Sequence, residues 1–432
     1  MIQENKGEQM DFALDKETTG AWIVHHSRKI ISDTTAPAEY SVLDEAGKAA
    51  ELLMRLGETD EVTLRQQEVA AIAMAANLNP RTELPHYLRL LKGRRLIDTA
   101  GDEIQVLGIT TRSVLSHAAD IFDDAQPASH ERAAIALGEL ASRAPVSLVD
   151  AKGYIGDSFK MKSADTDDFL RRSSEIGFVD QEGDDPSKIL FFNGNLFKKD
   201  AVQKAARVLS SLSSAEQIAL TETTDQLNKV GCIYANICEK KLGLTLFEKL
   251  KAAGVLEVNT VSNETGDHAF VTLPGAFHKF VNPLIDDTFD MAKALVSALS
   301  YGRQLRSSSQ GRILSFDWIL NALINGRTIG PATAIGADYR VLEQNRVVQL
   351  IPSKAAGMFS MRLLKKEVGE LALQVLKQGN ANAEAMNVPP SAPMTGYQGP
   401  EYARERTRKK QSQPSKRHTH DILSALRSGR SI

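Results

Sequence analysis

The chain has 432 residues, 42% hydrophobic and 25% charged, with a formal net charge of -2. That composition belongs to an ordinary globular protein, and the length favours several packed units of roughly 100 residues over one core. Two cysteines, Cys232 and Cys238, are too few for a disulfide scaffold and read as small core residues in a reducing compartment.

Residues 1–40 read as an N-terminal arm. Glu4, Lys6, Glu8, Asp11, Asp15, Lys16 and Glu17 leave no apolar stretch for a secretory signal, and no run of about 18 apolar residues follows anywhere. A cytoplasmic protein without membrane contact is expected. Ala21-Trp-Ile-Val24 is expected to form a small strand or docking arm. His25 and His26, adjacent in an extended segment, would then point apart into solvent.

From Ser41 onward a local phrase recurs: an amphipathic helix ending in a basic or small residue, two apolar residues, a polar turn, then a strand. The copies begin at Leu84, Asp168, Thr245 and Ala337, at intervals of about 77–92 residues. Their strands are Glu103–Leu107, Lys188–Phe192, His268–Leu273 and Met358–Leu363. More helix lies upstream of each. Glu45–Leu56 places Ala49, Leu52, Leu53 and Leu56 on one face, and Gln67–Ala76 supplies a second stretch. Glu131–Arg143 opens the next copy and Pro145 stops it. Ser213-Ser-Ala-Glu216 has capping-box spacing before the third. In the fourth, Phe289–Leu305 and Phe316–Leu323 are expected as first and second helices. The boundaries are 41–125, 126–200, 201–284 and 285–378.

Three helices closed by a hairpin resemble the winged-helix branch of the helix-turn-helix domains, so the expected fold is mainly α with short β-hairpins (α+β), in four tandem winged-helix-like modules. The resemblance implies a third helix in the DNA major groove and a hairpin on the backbone or in the minor groove. It rests on topology, without a diagnostic residue motif.

Residues 379–432 read as a disordered basic tail. Pro389, Pro390, Pro393 and Pro400 mark a linker, and beyond it Arg406, Arg408, Lys409, Lys410, Lys416 and Arg417 suit phosphates or an acidic protein surface. In the first module Arg81, His86, Arg89, Lys92, Arg94 and Arg95 crowd one helix and its exit, which is expected to bury Leu84, Leu88 and Leu91. The fourth offers Arg303, Arg306, Arg312, Arg327, Arg340 and Arg346, with Asp338 and Glu343 available for internal ion pairs. Asp165, Asp167 and Asp168 make the second module's third helix repel phosphate. Asp165 is expected to cap that helix rather than bind a cation, and the third module is mixed in charge.

Phosphate-loop, paired-His, Cys-x-x-Cys and Gly-x-Ser-x-Gly patterns are missing from the sequence, so neither catalysis nor a cofactor is expected. The expectation is a bacterial-type DNA-binding protein whose partner is double-stranded DNA, contacted by modules one and four and the tail. Transcription regulation, mobile-element maintenance and phage defence are equally compatible. The competing expectation is a non-enzymatic adaptor that makes protein contacts through modules two and three or the tail.

Overall fold

The computed structural model describes residues 14–386 except 32–34, 58–62, 102, 184, 200, 264–265, 281–285 and 308–310, and only the backbone of 286, 287 and 384. It is mainly helical with small antiparallel sheets, an α+β architecture. Helices α1 (Lys16–Ile30) and α2 (Ala36–Glu39) precede the first of four stretches sharing one element order: helix, short strand, helix, helix, hairpin. The first contains α3 (Ser41–Gly57), β1 (Leu64–Arg65), α4 (Gln66–Ala75), α5 (Leu84–Gly93), β2 (Ile97–Ala100) and β3 (Glu103–Val106). After α6 (Thr111–Asp124) come α7 (Ser129–Arg143), β4 (Val146–Ser147), α8 (Leu148–Phe159), α9 (Ser163–Ile176), β5 (Asp180–Glu182) and β6 (Leu190–Phe192).

After α10 (Val202–Ser210), the third stretch is α11 (Ser214–Val230), β7 (Ile233–Tyr234), α12 (Ala235–Leu242), α13 (Leu244–Ala252), β8 (Glu257–Asn263) and β9 (Gly266–Thr272). Helix α14 (Asp286–Gln304) separates it from α15 (Phe316–Ile324), β10 (Ile329–Ala332), α16 (Thr333–Asp338), α17 (Arg340–Gln344), β11 (Val348–Pro352) and β12 (Phe359–Leu363). Helices α18 (Lys366–Gln378) and α19 (Asn382–Ala385) follow.

Each sheet has the strand order first, third, second, because the short strand pairs with the outgoing arm of the hairpin. The register explains why. Leu64 faces Ile104, Val146 faces Phe191, Ile233 faces Val271 and Ile329 faces Met361, so every short strand opens with an apolar residue opposite an apolar one. Cross-strand apolar pairs of this kind fix register.

The described residues fall into two compact units, one of 14–218 with 248–255 and 381–386, the other of 219–247 with 256–380. In the first unit, α1 packs against α3, α6, α7 and α19. Asp15 caps it by accepting the Thr18 N–H at 2.7 Å. Ala21, Trp22, Ile23 and Val24 are buried inside this helix, so the expected strand is instead helix enclosed on every side. Gly20 permits the approach of α6, since a Cβ there would lie 1.9 Å from the Leu115 carbonyl oxygen. The Trp22 Nε1–H donates to the buried Glu139 carboxylate at 2.9 Å.

His25 and His26 are also buried, contrary to the solvated pair expected. His26 Nε2 is 3.1 Å from the Ala134 carbonyl, which only accepts, so Nε2 carries the proton and His25 Nδ1–H faces the bare His26 Nδ1 at 3.4 Å. Burial pushes His26 down to about 3, outweighing the Ala134 hydrogen bond, so it is neutral. Glu131 accepts the backbone N–H groups of Val42 and Leu43 at 2.9 and 3.1 Å and thereby satisfies the start of α3.

In the second unit α18 packs against α14 and α15. Phe289, Leu295, Val296 and Leu299 of α14, Leu320 and Leu323 of α15, and Val368, Leu371 and Val375 of α18 are buried. Each such side chain contributes about 1.5–3 kcal/mol. Helix α14 therefore lies outside the repeated order and α15 takes the first-helix place in the fourth stretch. The Ser213–Glu216 capping box forms as expected, with Glu216 accepting the Ser213 N–H at 2.9 Å. Asp165 sits in the first turn of α9 without capping it; Lys162 occupies the N-cap.

Candidate nucleic-acid interface

All four stretches leave the third helix through one backbone device. The residue two or three before the hairpin has a positive φ, and the next N–H returns to the carbonyl five residues back: Leu96 to Leu91 at 3.0 Å, Phe178 to Ser173 at 2.9 Å, Val255 to Leu250 at 3.0 Å, and Val347 to Leu342 at 2.8 Å. This left-handed closure favours glycine, which has no Cβ to crowd the following carbonyl. Stretches two and three comply, with Gly177 at φ 94° and Gly254 at φ 73°. Stretches one and four instead hold Arg95 at φ 59° and Arg346 at φ 55°, both exposed. Both exits keep a long cation where the backbone prefers glycine; Asn77, Gln126 and Lys160 are further non-glycine residues with positive φ among the described residues, but none of them closes a third helix.

Around Arg95, Leu84, Tyr87 and Leu91 form the buried face of α5, Tyr87 taking the place expected for Leu88. Asn79 Oδ1 accepts the N–H groups of Arg81 and Thr82 at 2.9 and 3.2 Å, setting Arg81 in the turn before α5. Arg81 and Arg89 are exposed, and Arg89 Nε donates to the Pro85 carbonyl at 3.2 Å. The remaining three expected cations are engaged within the fold. His86 lies 2.6 Å from Glu45, Lys92 donates to Thr99, and Arg94 pairs with Asp124 at 2.9 Å. The adjoining hairpin exposes Asp98 and Glu103, which oppose a phosphate backbone.

The fourth stretch is more uniformly positive. Arg312, Arg327, Arg340 and Arg346 are exposed, and Arg340 Nε donates to the Gly336 carbonyl at 3.0 Å. Its hairpin adds Lys354 at the tip and Arg362, whose position opposite Gln349 puts both on the solvent side of the ladder. Neither was among the cations expected from sequence. The alternation Met361 in, Arg362 out, Leu363 in was the available signal.

Two arginines expected with this stretch, Arg303 in α14 and Arg306 just after it, precede α15 and have other work. Arg306 is held by Asp338 through Nε at 3.1 Å and Nη2 at 2.6 Å, with side-chain exposures of 12% and 1%. Arg303 lies 4.9 Å over the Phe316 ring. Arg306 is thus withdrawn from the solvent-facing set.

The acidic start of α9 is exposed and internally paired: Asp167 takes Lys152 at 2.6 Å, and Arg171 bridges Asp168 and Glu175. Arg172 is turned to Glu39 at 2.9 Å. Arg406, Arg408, Lys409, Lys410, Lys416 and Arg417 lie outside the described residues. Among the described residues no helix is long and apolar enough to cross a membrane. No protein-family model matches the chain, and no curated protein matches it.

Proposed function

We propose that the chain binds double-stranded DNA through winged-helix-like modules, the first and fourth carrying the contact. The order helix, strand, helix, helix, hairpin supports the module reading, and the third-helix exits carry the functional one. At the backbone position that favours glycine, modules two and three have glycine, whereas modules one and four have an exposed arginine. Module four is the stronger contact, because Arg327, Arg340, Arg346, Lys354 and Arg362 are all exposed in it, and from α15 to β12 Glu343 is the exposed acid among the described residues. Module one meets opposition from Asp98 and Glu103 and contributes less.

The test is fluorescence anisotropy of a labelled random-sequence duplex between about 50 and 200 mM salt. Affinity is expected to fall linearly on logarithmic axes, and Arg340→Ala and Arg362→Ala each reduce the slope by about 0.9. A flat salt response, or variants indistinguishable from the parent, overturns the proposal.

The acidic surface of α9 favours a second reading for module two alone, a protein contact. Asp165→Lys with Asp167→Lys then leaves duplex affinity unchanged. A rise in affinity would place that helix against DNA instead.

A further inference from the structure

An open cavity of about 470 Å³ lies in the second unit among α15, α16 and β10. It falls in the size range of small-molecule sites, about 300–1,000 Å³. Ile313, Ile329, Ile335 and Tyr339 wall it with buried side chains, whereas Leu314 and Trp318 in its lining are 87% and 67% exposed. Trp318 is placed with care: Ser315 Oγ accepts its backbone N–H at 3.2 Å, fixing the first turn of α15. A large aromatic left in water beside an apolar hollow is uneconomical unless a partner covers it.

Charge narrows what that partner is. Asp338 lines the cavity, but its carboxylate is held by Arg306 and by Asn263, whose Nδ2 donates at 3.2 Å. Arg312 also lines it and pairs with no carboxylate among the described residues; the preceding Ser308, Ser309 and Gln310 carry no charge in the sequence. The positive end of α15 adds to Arg312, with Asp317 in the same turn offsetting part of it. The mouth is therefore cationic and the interior apolar.

We propose that this cavity binds an aromatic anion of small-molecule size, its rings packed between Trp318 and the isoleucine wall and its acidic group at Arg312. The inference rests on the cavity and holds whether or not the chain binds DNA.

The probe is 1-anilinonaphthalene-8-sulfonate, with neutral N-phenyl-1-naphthylamine as its uncharged counterpart, titrated by fluorescence. The naphthalene sulfonate is expected to saturate one site per chain with energy transfer from Trp318. Ala332→Phe, which fills the cavity, and Trp318→Ala, which removes an exposed side chain and so leaves the fold intact, should each weaken it about tenfold or more. Arg312→Gln should weaken the anion about tenfold and the neutral probe less than about twofold. Several weak sites insensitive to Trp318→Ala, the behaviour of a dye on loose apolar surface, overturn the proposal. Equal loss of both probes in Arg312→Gln overturns the assignment of charge.

Discussion

Replacing Arg346 by glycine should strengthen the fold and weaken DNA binding together. At φ 55° the Arg346 Cβ crowds its own backbone, at a cost of about 1–2 kcal/mol for a residue other than glycine. Glycine relieves that cost but has more freedom to lose from the unfolded chain, about 0.5–1 kcal/mol. The net expectation is a gain of about 0.5–1 kcal/mol, because the Val347 to Leu342 hydrogen bond at 2.8 Å needs no arginine side chain. In the opposite direction, one charge-assisted phosphate contact is worth about tenfold in affinity and about 0.9 in salt slope. Arg95→Gly repeats the experiment in the other unit, and the two stability changes should add. Urea midpoints and duplex anisotropy, read on the same preparations, decide the matter. A lower midpoint refutes the backbone argument; unchanged affinity and slope refute the functional one.

Two glycines should respond to alanine with opposite signs in thermal melts. Gly20→Ala sets a Cβ against the Leu115 backbone and should cost several kcal/mol, whereas Gly153→Ala, on the exposed side of α8 with nothing within 4 Å, should gain about 0.5–1 kcal/mol. Acid should weaken both units through neutral histidines, His26 buried in the first and His278 half-buried in the second. Burial lowers His26 and His278 to about 3, so their contribution is complete above about pH 6.5 and is lost as pH falls from there toward 3. At pH 4.5 the loss is about 2–3 kcal/mol for each, and His26→Gln, though weaker at pH 7, should show a shallower decline between the two pH values. Burial also raises the Cys232 and Cys238 thiols to about 12 and 11, so neither should react with a disulfide reagent at pH 8 until urea unfolds the chain; prompt labelling would contradict their burial.

The hairpin phrases could be read from the sequence because turn residues and apolar doublets flank them at every copy. The short strands could not, since two residues such as Leu64–Arg65 carry no period, and their partners lie about 40 residues further on. That omission displaced the fourth stretch: without β10 as a landmark, α14 looked like its first helix. Helix α1 was missed for a different reason. Enclosed by four other helices, its middle, residues 20–27, has no exposed face to alternate with, and Ala21-Trp-Ile-Val24 then resembles a buried strand. Among the cations, sequence named Arg95 and Arg346, but only backbone angles set them apart from Arg94 and Arg306, which the fold consumes in ion pairs.

Helix α19 gives the first unit an unusual timetable. Ala381, Ala383, Ala385 and Met386 are buried, and α19 packs on α1 and α6, more than 250 residues earlier in the chain. A ribosome making this protein completes everything in between before it delivers the piece that covers those helices. The nascent unit must wait with that face bare, and a chain terminated prematurely at residue 380 would keep it bare, a ready target for chaperones and proteases.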